Sequence, residues 1–152
     1  MLSSHSLITT ITDAFQGVEL EDGIGLREAD AIDSYADARV RIECRQQDEQ
    51  HDWSAIPPEA LNTYNSSLSF FDAKGFRFHL PAFMIAEIKG EYRFGMAFVF
   101  THLTEYAQSR FAILSREQRA VVRMFLEYLL THPDYVYEQD KIKLALESYW
   151  LE

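Results

Sequence analysis

The stretch from Leu26 to Gln50 constrains the fold most, because its 25 residues contain neither glycine nor proline. Apolar and small residues recur in it at intervals of three and four, giving one stripe of Leu26, Ala29, Ile32, Ala36, Val40 and Cys44. This spacing is typical of an amphipathic helix that buries one face. The sequence therefore predicts one long helix over 26–50, with Cys44 as a small buried hydrophobe on its core stripe.

Helical spacing and helix-boundary residues recur along the rest of the chain. They predict a helix capped by Ser4 or Ser6 and stopped at Gly17, and further helices over 58–64, 80–90, 115–131 and 138–150. Pro58 and Pro81 are placed in first turns, where proline is tolerated. Ser115 and Gln118 form a capping-box signature. Residues 94–100 alternate bulky and small apolar side chains, which suits either a short buried strand or an irregular helical segment.

These patterns predict a mainly α fold, a bundle of five to six helices in a single domain of residues 1–152. The bundle is expected to contain an irregular, aromatic-rich core segment. For residues 94–100 the alternative is one short strand. Eleven Phe, eight Tyr and two Trp indicate an aromatic-rich core.

The formal net charge of −10 argues against binding to nucleic acid or to an anionic membrane. Residues 1–52 hold 12 Asp or Glu against 4 Lys or Arg, so the acidity is concentrated in the first third. No apolar run is long enough to span a bilayer, and residues 1–15 lack the features of a signal peptide. The lone Cys44 indicates a reducing compartment. A bacterial cytoplasmic protein is expected.

Two rows of like charges have the same i, i+3, i+7 spacing and so project from one side of a helix. Asp30, Asp33 and Asp37 are expected to be solvated or ion-paired, and their alternatives are a site for a cation such as Mg²⁺ and a surface for a partner. The second row is Arg116, Arg119 and Arg123. It either pairs with the Asp row, faces solvent, or offers bidentate contacts to a phosphate or carboxylate.

Two further polar residues stand in apolar surroundings, Arg77 and His79. A buried Arg77 needs a carboxylate partner, for which Asp72 or Asp33 is expected. His79 is interpreted as a structural histidine, with an acid/base role as the weaker alternative.

No catalytic motif accompanies these residues. The five histidines have no zinc-ligand spacing, no Gly-x-Ser-x-Gly elbow is present, and Gly23 and Gly25 do not make a phosphate loop. Neither a cofactor nor a catalytic residue is predicted.

Two segments of the chain carry recognisable motifs. Asp52–Ile88 contains Asp-Trp, Ile-Pro, Phe-Phe-Asp, Gly-Phe-Arg-Phe and Leu-Pro-Ala, and Leu114–Leu129 reads LSREQRAVVRMFLEYL. In these motifs the chain resembles a family of small acidic bacterial proteins of unknown function. The resemblance implies one intact bacterial domain and brings no catalytic residues.

Two hypotheses on function follow from the sequence. The first is an acidic protein-binding module, of the immunity or inhibitor type, that acts on a basic protein partner. The second is a metal-dependent hydrolase that uses the Asp row, with His79 nearby. A homo-oligomer is compatible with either.

Overall fold

A computed structural model describes residues 3–151. The chain divides into two compact units. The terminal unit combines the residues up to Gln16 with those from Gly95 onward, and the central unit is Gly17–Phe94.

The central unit is helical from end to end. Its α-helices are α2 (Leu26–Asp33), α3 (Ala38–Gln47), α4 (Pro58–Thr63) and α5 (Ala73–Ile88), with 3₁₀-helices at Trp53–Ala55 and Asn65–Ser69. The terminal unit contains α1 (Ser4–Ala14), α6 (Ala97–Thr101), α7 (Glu105–Phe111), α8 (Arg116–Leu130) and α9 (Gln139–Ser148), with a 3₁₀-helix at Pro133–Glu138.

The prediction of a mainly α protein is confirmed, but the predicted number of helices is too low. Residues 3–151 contain nine α-helices and no strand. The strand considered near 94–100 is wrong, since Ala97–Thr101 forms α6 and Phe98 is exposed. A single strand without a neighbour has no partner for its backbone hydrogen bonds, whereas a helical turn forms i to i+4 bonds within the segment, such as the one from the His102 N–H to the Phe98 carbonyl (3.1 Å).

The predicted long helix over 26–50 is also wrong, because the chain turns between α2 and α3. Tyr35 takes a left-handed conformation with φ of +58°. The N–H of Ala36 then bonds to the carbonyl of Ala31 (2.9 Å), and Asp37 caps α3 by accepting from the N–H of Val40 (3.0 Å). These are a Schellman ending followed by a new N-cap, and together they override the continuous apolar stripe. Cys44 is accordingly half-buried instead of buried.

The helix expected to start near Leu80 begins seven residues earlier, and Pro81 lies inside it. Asp72 sets the start: its Oδ1 accepts from the N–H of Gly75 and from the N–H of Ile24, each at 2.9 Å. A strong N-cap therefore outweighs the preference of proline for a first turn. Other boundaries agree with prediction, since α4 begins at Pro58 and the capping box of Ser115 and Gln118 opens α8.

Each unit has an aromatic core, as the composition predicts. Fully buried rings include Phe71, Phe76, Phe78 and Phe83 in the central unit and Phe15, Phe100, Phe111, Phe125 and Trp150 in the terminal unit. Among the described residues, no helix has both the length and the apolar character needed to cross a membrane.

Candidate functional site

The turn between α2 and α3, residues Asp33–Asp37, is the most unusual surface of the central unit, and we call it the α2–α3 corner. Tyr35 at its centre is 96% exposed while its backbone is held at φ +58°. In the described part of the chain, Glu21 is the one other non-glycine residue with positive φ. A bulky side chain in this conformation costs roughly 1–2 kcal/mol. Because the ring of Tyr35 is exposed, hydrophobic burial does not offset this cost.

The end of α5 shows what the same turn looks like without this strain. There the left-handed position is Gly90, with φ of +74°, and the following N–H of Glu91 bonds to the carbonyl of Ala86 (2.8 Å). Glycine is the usual residue at this position because it has no Cβ to clash. Tyr35 therefore occupies a position where stability alone would favour glycine.

Two exposed carboxylates flank Tyr35. Asp33 ends α2 and has no ion-pair partner among the described residues, while Asp37 uses its side chain to cap α3. The corner thus combines one exposed aromatic ring with two negative charges.

Helix α3, which follows the corner, has no buried residue at all. Val40 and Ile42 are exposed, the latter by 59%. Polar contacts hold the C-terminal end of the helix, where Arg45 donates to the carbonyls of Glu21 (2.7 Å) and Gly23 (3.1 Å). Val40 and Ile42 therefore face solvent, whereas Cys44 is half-buried.

Asp48, just beyond α3, caps α2 from outside that helix. Its two carboxylate oxygens accept from the N–H groups of Arg27 (2.8 Å) and Glu28 (3.2 Å). Burial raises the pKa of Asp48, although these N–H groups and the Arg27 guanidinium oppose the rise. This contact joins the end of α3 to the start of α2. The two helices are therefore held together at the ends that lie away from the corner.

The predicted Asp row does not form one face, because Asp30 and Asp33 lie in α2 whereas Asp37 caps α3. Asp30 accepts from the hydroxyl of Ser66 (3.2 Å). Within residues 3–151, no group of three His, Cys, Asp or Glu side chains is placed to hold a metal ion.

Arg77 has a carboxylate partner, but not one of the two expected. Its Nη2 donates to Oε2 of Glu21 (2.8 Å), while Asp72 is occupied by capping α5. The other oxygen of Glu21 lies 3.5 Å from Nζ of Lys74, which also bonds Oδ1 of Asp22 (2.7 Å). The sequence thus identified Arg77 as needing an acid and gave the wrong acid.

His79 lies in the core of the central unit with no exposed surface. Its Nδ1 lies 2.7 Å from the Gly75 carbonyl, its ring stacks on Phe71 at 4.3 Å, and its Nε2 has no partner among the described residues. Burial lowers the pKa of His79 to about 4, even though the Gly75 carbonyl and Asp72 favour the charged form. At neutral pH the ring is therefore an uncharged part of the core.

This burial predicts a specific loss of stability in acid. Below pH 6.5 the unfolded chain protonates His79, while the folded chain stays neutral down to about pH 4. Stability should therefore fall with pH through this window, by about 2 kcal/mol between pH 7 and pH 5. Urea unfolding of the wild type and of His79→Phe at both pH values measures the effect, and the variant should lack this part of the loss. Equal pH dependence in the two proteins would contradict the assignment.

The Arg row lies on α8, and its partners belong to the terminal unit. The guanidinium of Arg119 lies 4.8 Å from the Tyr149 ring and 5.1 Å from the Trp150 ring, and Nη1 donates to the Tyr149 hydroxyl (3.2 Å). Arg123 is 3.8 Å from Glu127, whereas Arg116 is exposed. Arg119 thus anchors the C-terminal segment, and a ligand-binding role for the row stays a prediction.

Sequence reasoning missed Tyr35, Glu21 and Asp48. A signal for the first was present, since Ser34 and Asp37 are residues that end and restart helices. No local signal marks Glu21 or Asp48, because their partners are distant in sequence.

A family model described as a family of unknown function (DUF6714) matches residues 3–152 of the chain. No curated protein and no solved structure matches the chain.

Proposed function

We propose that this chain, which belongs to the DUF6714 family of unknown function, is a protein-binding module. It docks a basic partner protein on its α2–α3 corner. The observation that carries the proposal is Tyr35, fully presented to solvent by a strained backbone. Strained conformations persist where the surrounding structure enforces them, and they concentrate at functional positions.

Tyr35 has the properties of an interface anchor. Tyrosine is enriched among the residues that dominate binding energy, because it offers a large contact area with few rotatable bonds. The backbone around it is fixed by the Ala36–Ala31 hydrogen bond and by the Asp37 cap. Because the turn is already fixed, binding orders the ring of Tyr35 without also having to order the backbone that carries it.

The charge of the surface supports a basic partner. The central unit holds 15 Asp or Glu against 8 Lys or Arg. Asp33 and Asp37 are exposed on either side of Tyr35. A partner that places Lys or Arg around a ring-sized pocket would be steered to this surface and held in register.

An immunity or inhibitor type of role in the bacterial cytoplasm fits these features. A binding module of this kind needs a rigid, charged docking surface and no catalytic group, and the single Cys44 suits a reducing compartment. The hydrolase alternative has less support, because Asp30 and Asp33 lie in α2 whereas Asp37 caps α3, and no group of three His, Cys, Asp or Glu side chains within residues 3–151 is placed to hold a metal ion.

Replacement of Tyr35 by glycine should stabilise the chain, by about 1 kcal/mol. The exposed ring makes little contribution to the core, and glycine relieves the left-handed strain, so the folded state gains although glycine is more flexible when unfolded. Urea unfolding followed by circular dichroism measures the change. A loss of more than about 1 kcal/mol would instead mean that the ring has a structural role.

Binding is tested by quantitative capture from cells that naturally make the chain. Wild type, Tyr35→Gly, Tyr35→Phe and the pair Asp33→Asn/Asp37→Asn are compared, since asparagine keeps the cap of α3 while removing charge. The matched control is Tyr137→Gly, which removes a tyrosine of the terminal unit that is 94% exposed.

The proposal expects a basic protein bound by wild type, Tyr35→Phe and the control. Tyr35→Gly should bind this protein at least about 30-fold more weakly than the wild type does, as for an interface hot spot. The Asn pair should bind it more weakly and with less salt dependence. Equal recovery by Tyr35→Gly and wild type would overturn the proposal.

A further inference from the structure

We propose that Lys74 and Arg77 form a binding site for the phosphate group of a small phosphate monoester, and that the carboxylate of Glu21 occupies this site in the free chain. The site uses none of the residues of the α2–α3 corner. It goes beyond the protein-binding function and stands or fails separately from it.

The geometry of the Glu21 carboxylate is that of a bound anion. One oxygen lies 2.8 Å from Arg77 Nη2 and the other 3.5 Å from Lys74 Nζ, so two cations converge on a single acidic group. Arg and Lys are the residues that recognise phosphate, Arg through its planar set of donors and Lys as a point charge. The two carboxylate oxygens stand where two phosphate oxygens would bind.

The guanidinium of Arg77 keeps binding capacity that Glu21 does not use. It carries five N–H donors, and its described hydrogen bond is the single one from Nη2. Its Nε is buried and has no partner among residues 3–151. A phosphate has more oxygens and more charge than a carboxylate, so it offers more acceptors to the terminal nitrogens of the guanidinium, of which only Nη2 bonds Glu21.

Glu21 is held in place at a cost in backbone energy. It sits at φ +57°, inside a turn closed by the hydrogen bond from the Gly23 N–H to the Leu20 carbonyl (2.9 Å). The left-handed conformation disfavours a residue with a Cβ. The ion pairs that Glu21 makes are half-exposed, and such pairs contribute little. The carboxylate is therefore displaceable by a better anion.

The surrounding charge selects for a small ligand. The central unit is acidic, so a polyanion such as nucleic acid would meet repulsion over most of its length. A single phosphate group needs only the two cations. Asp22, which bonds Lys74 at 2.7 Å and is largely exposed, can rotate to solvent when phosphate arrives.

The test measures binding of inorganic phosphate by amide chemical shifts, with acetate at equal ionic strength as the comparison anion. Glu21→Gln keeps the shape of the side chain and removes its charge. It should bind phosphate roughly three- to tenfold more tightly than wild type, which is the gain expected from removing a competing exposed ion pair. Shifts should be centred on Lys74 and Arg77, and acetate should bind more weakly.

Two double variants complete the design. Glu21→Gln/Arg77→Ala should lose phosphate binding, and Glu21→Gln/Lys74→Gln should weaken it; the second removes a partly exposed side chain and so serves if the first does not fold. Lys141→Ala, at an exposed lysine of the terminal unit, is the matched control and should change nothing. The proposal is overturned if Glu21→Gln binds phosphate no better than its double variants, or no better than acetate.

Discussion

Replacement of Trp150 by alanine should lower the free energy of unfolding by about 4 kcal/mol, the largest effect expected in this chain. Trp150 has no exposed surface, and its ring packs 4.8 Å from Phe111 and 5.8 Å from Phe100. Its indole N–H also donates to the Phe100 carbonyl (3.0 Å). Alanine would leave a large cavity in the core of the terminal unit. It would also leave the Phe100 carbonyl without its hydrogen-bond donor.

The next residue offers a matched control. Leu151 is 67% exposed, so Leu151→Ala should change stability by less than about 0.5 kcal/mol. Urea unfolding of both variants, followed by circular dichroism, gives the comparison. Similar losses in the two would show that Trp150 is not the buried centre described.

Replacement of Gly75, in the first turn of α5, by alanine should destabilise the chain by about 3 kcal/mol, against the trend of helix propensity. Helix propensity alone predicts a gain of about 1 kcal/mol. A Cβ at Gly75, however, would collide with the backbone carbonyl oxygen of Ile24, which cannot move aside as a flexible side chain could. The close approach brings the loop containing Glu21 against α5, because Asp72 bonds the N–H groups of both Ile24 and Gly75.

Gly90→Ala separates crowding from backbone strain. Gly90 has open space around its Cβ position but φ of +74°, so alanine there should cost about 1 kcal/mol. Amide hydrogen exchange of residues 17–94 measures both variants. If Gly75→Ala proved more stable than wild type, the close packing of this loop on α5 would be refuted.

The sequence predicted helices best where two kinds of signal agreed. Helix α8 combines an apolar stripe with the Ser115 capping box, and its start was found. The errors arose where the signals conflicted. The stripe over 26–50 runs through Ser34 and Asp37, and Pro81 predicts a helix start near Leu80 although Asp72 caps α5. In both cases a local side-chain hydrogen bond to the backbone set the boundary, and periodicity carries no record of such bonds.

The candidate sites were less predictable than the fold. Arg77 was identified from its apolar neighbours, yet its partner Glu21 lies 56 residues away, and pairing over that distance depends on tertiary packing. His79 has no exposed surface, and its interpretation as a structural histidine stays a prediction. Sequence analysis misses Tyr35 because the apolar stripe over 26–50 predicts a continuous helix through it, although Ser34 and Asp37 on either side are residues that end and restart helices.

Site-specific photo-crosslinking tests the central claim most directly, namely that the α2–α3 corner is a protein-docking surface. A benzophenone amino acid is incorporated in place of Tyr35, or of Tyr137 as control, in cells that naturally make the chain. We predict a crosslink from position 35 to one basic protein, with none to that protein from position 137 and with a weaker crosslink from position 35 when Asp33→Asn and Asp37→Asn are added. No crosslink from position 35, or the same products from both positions, would contradict the claim.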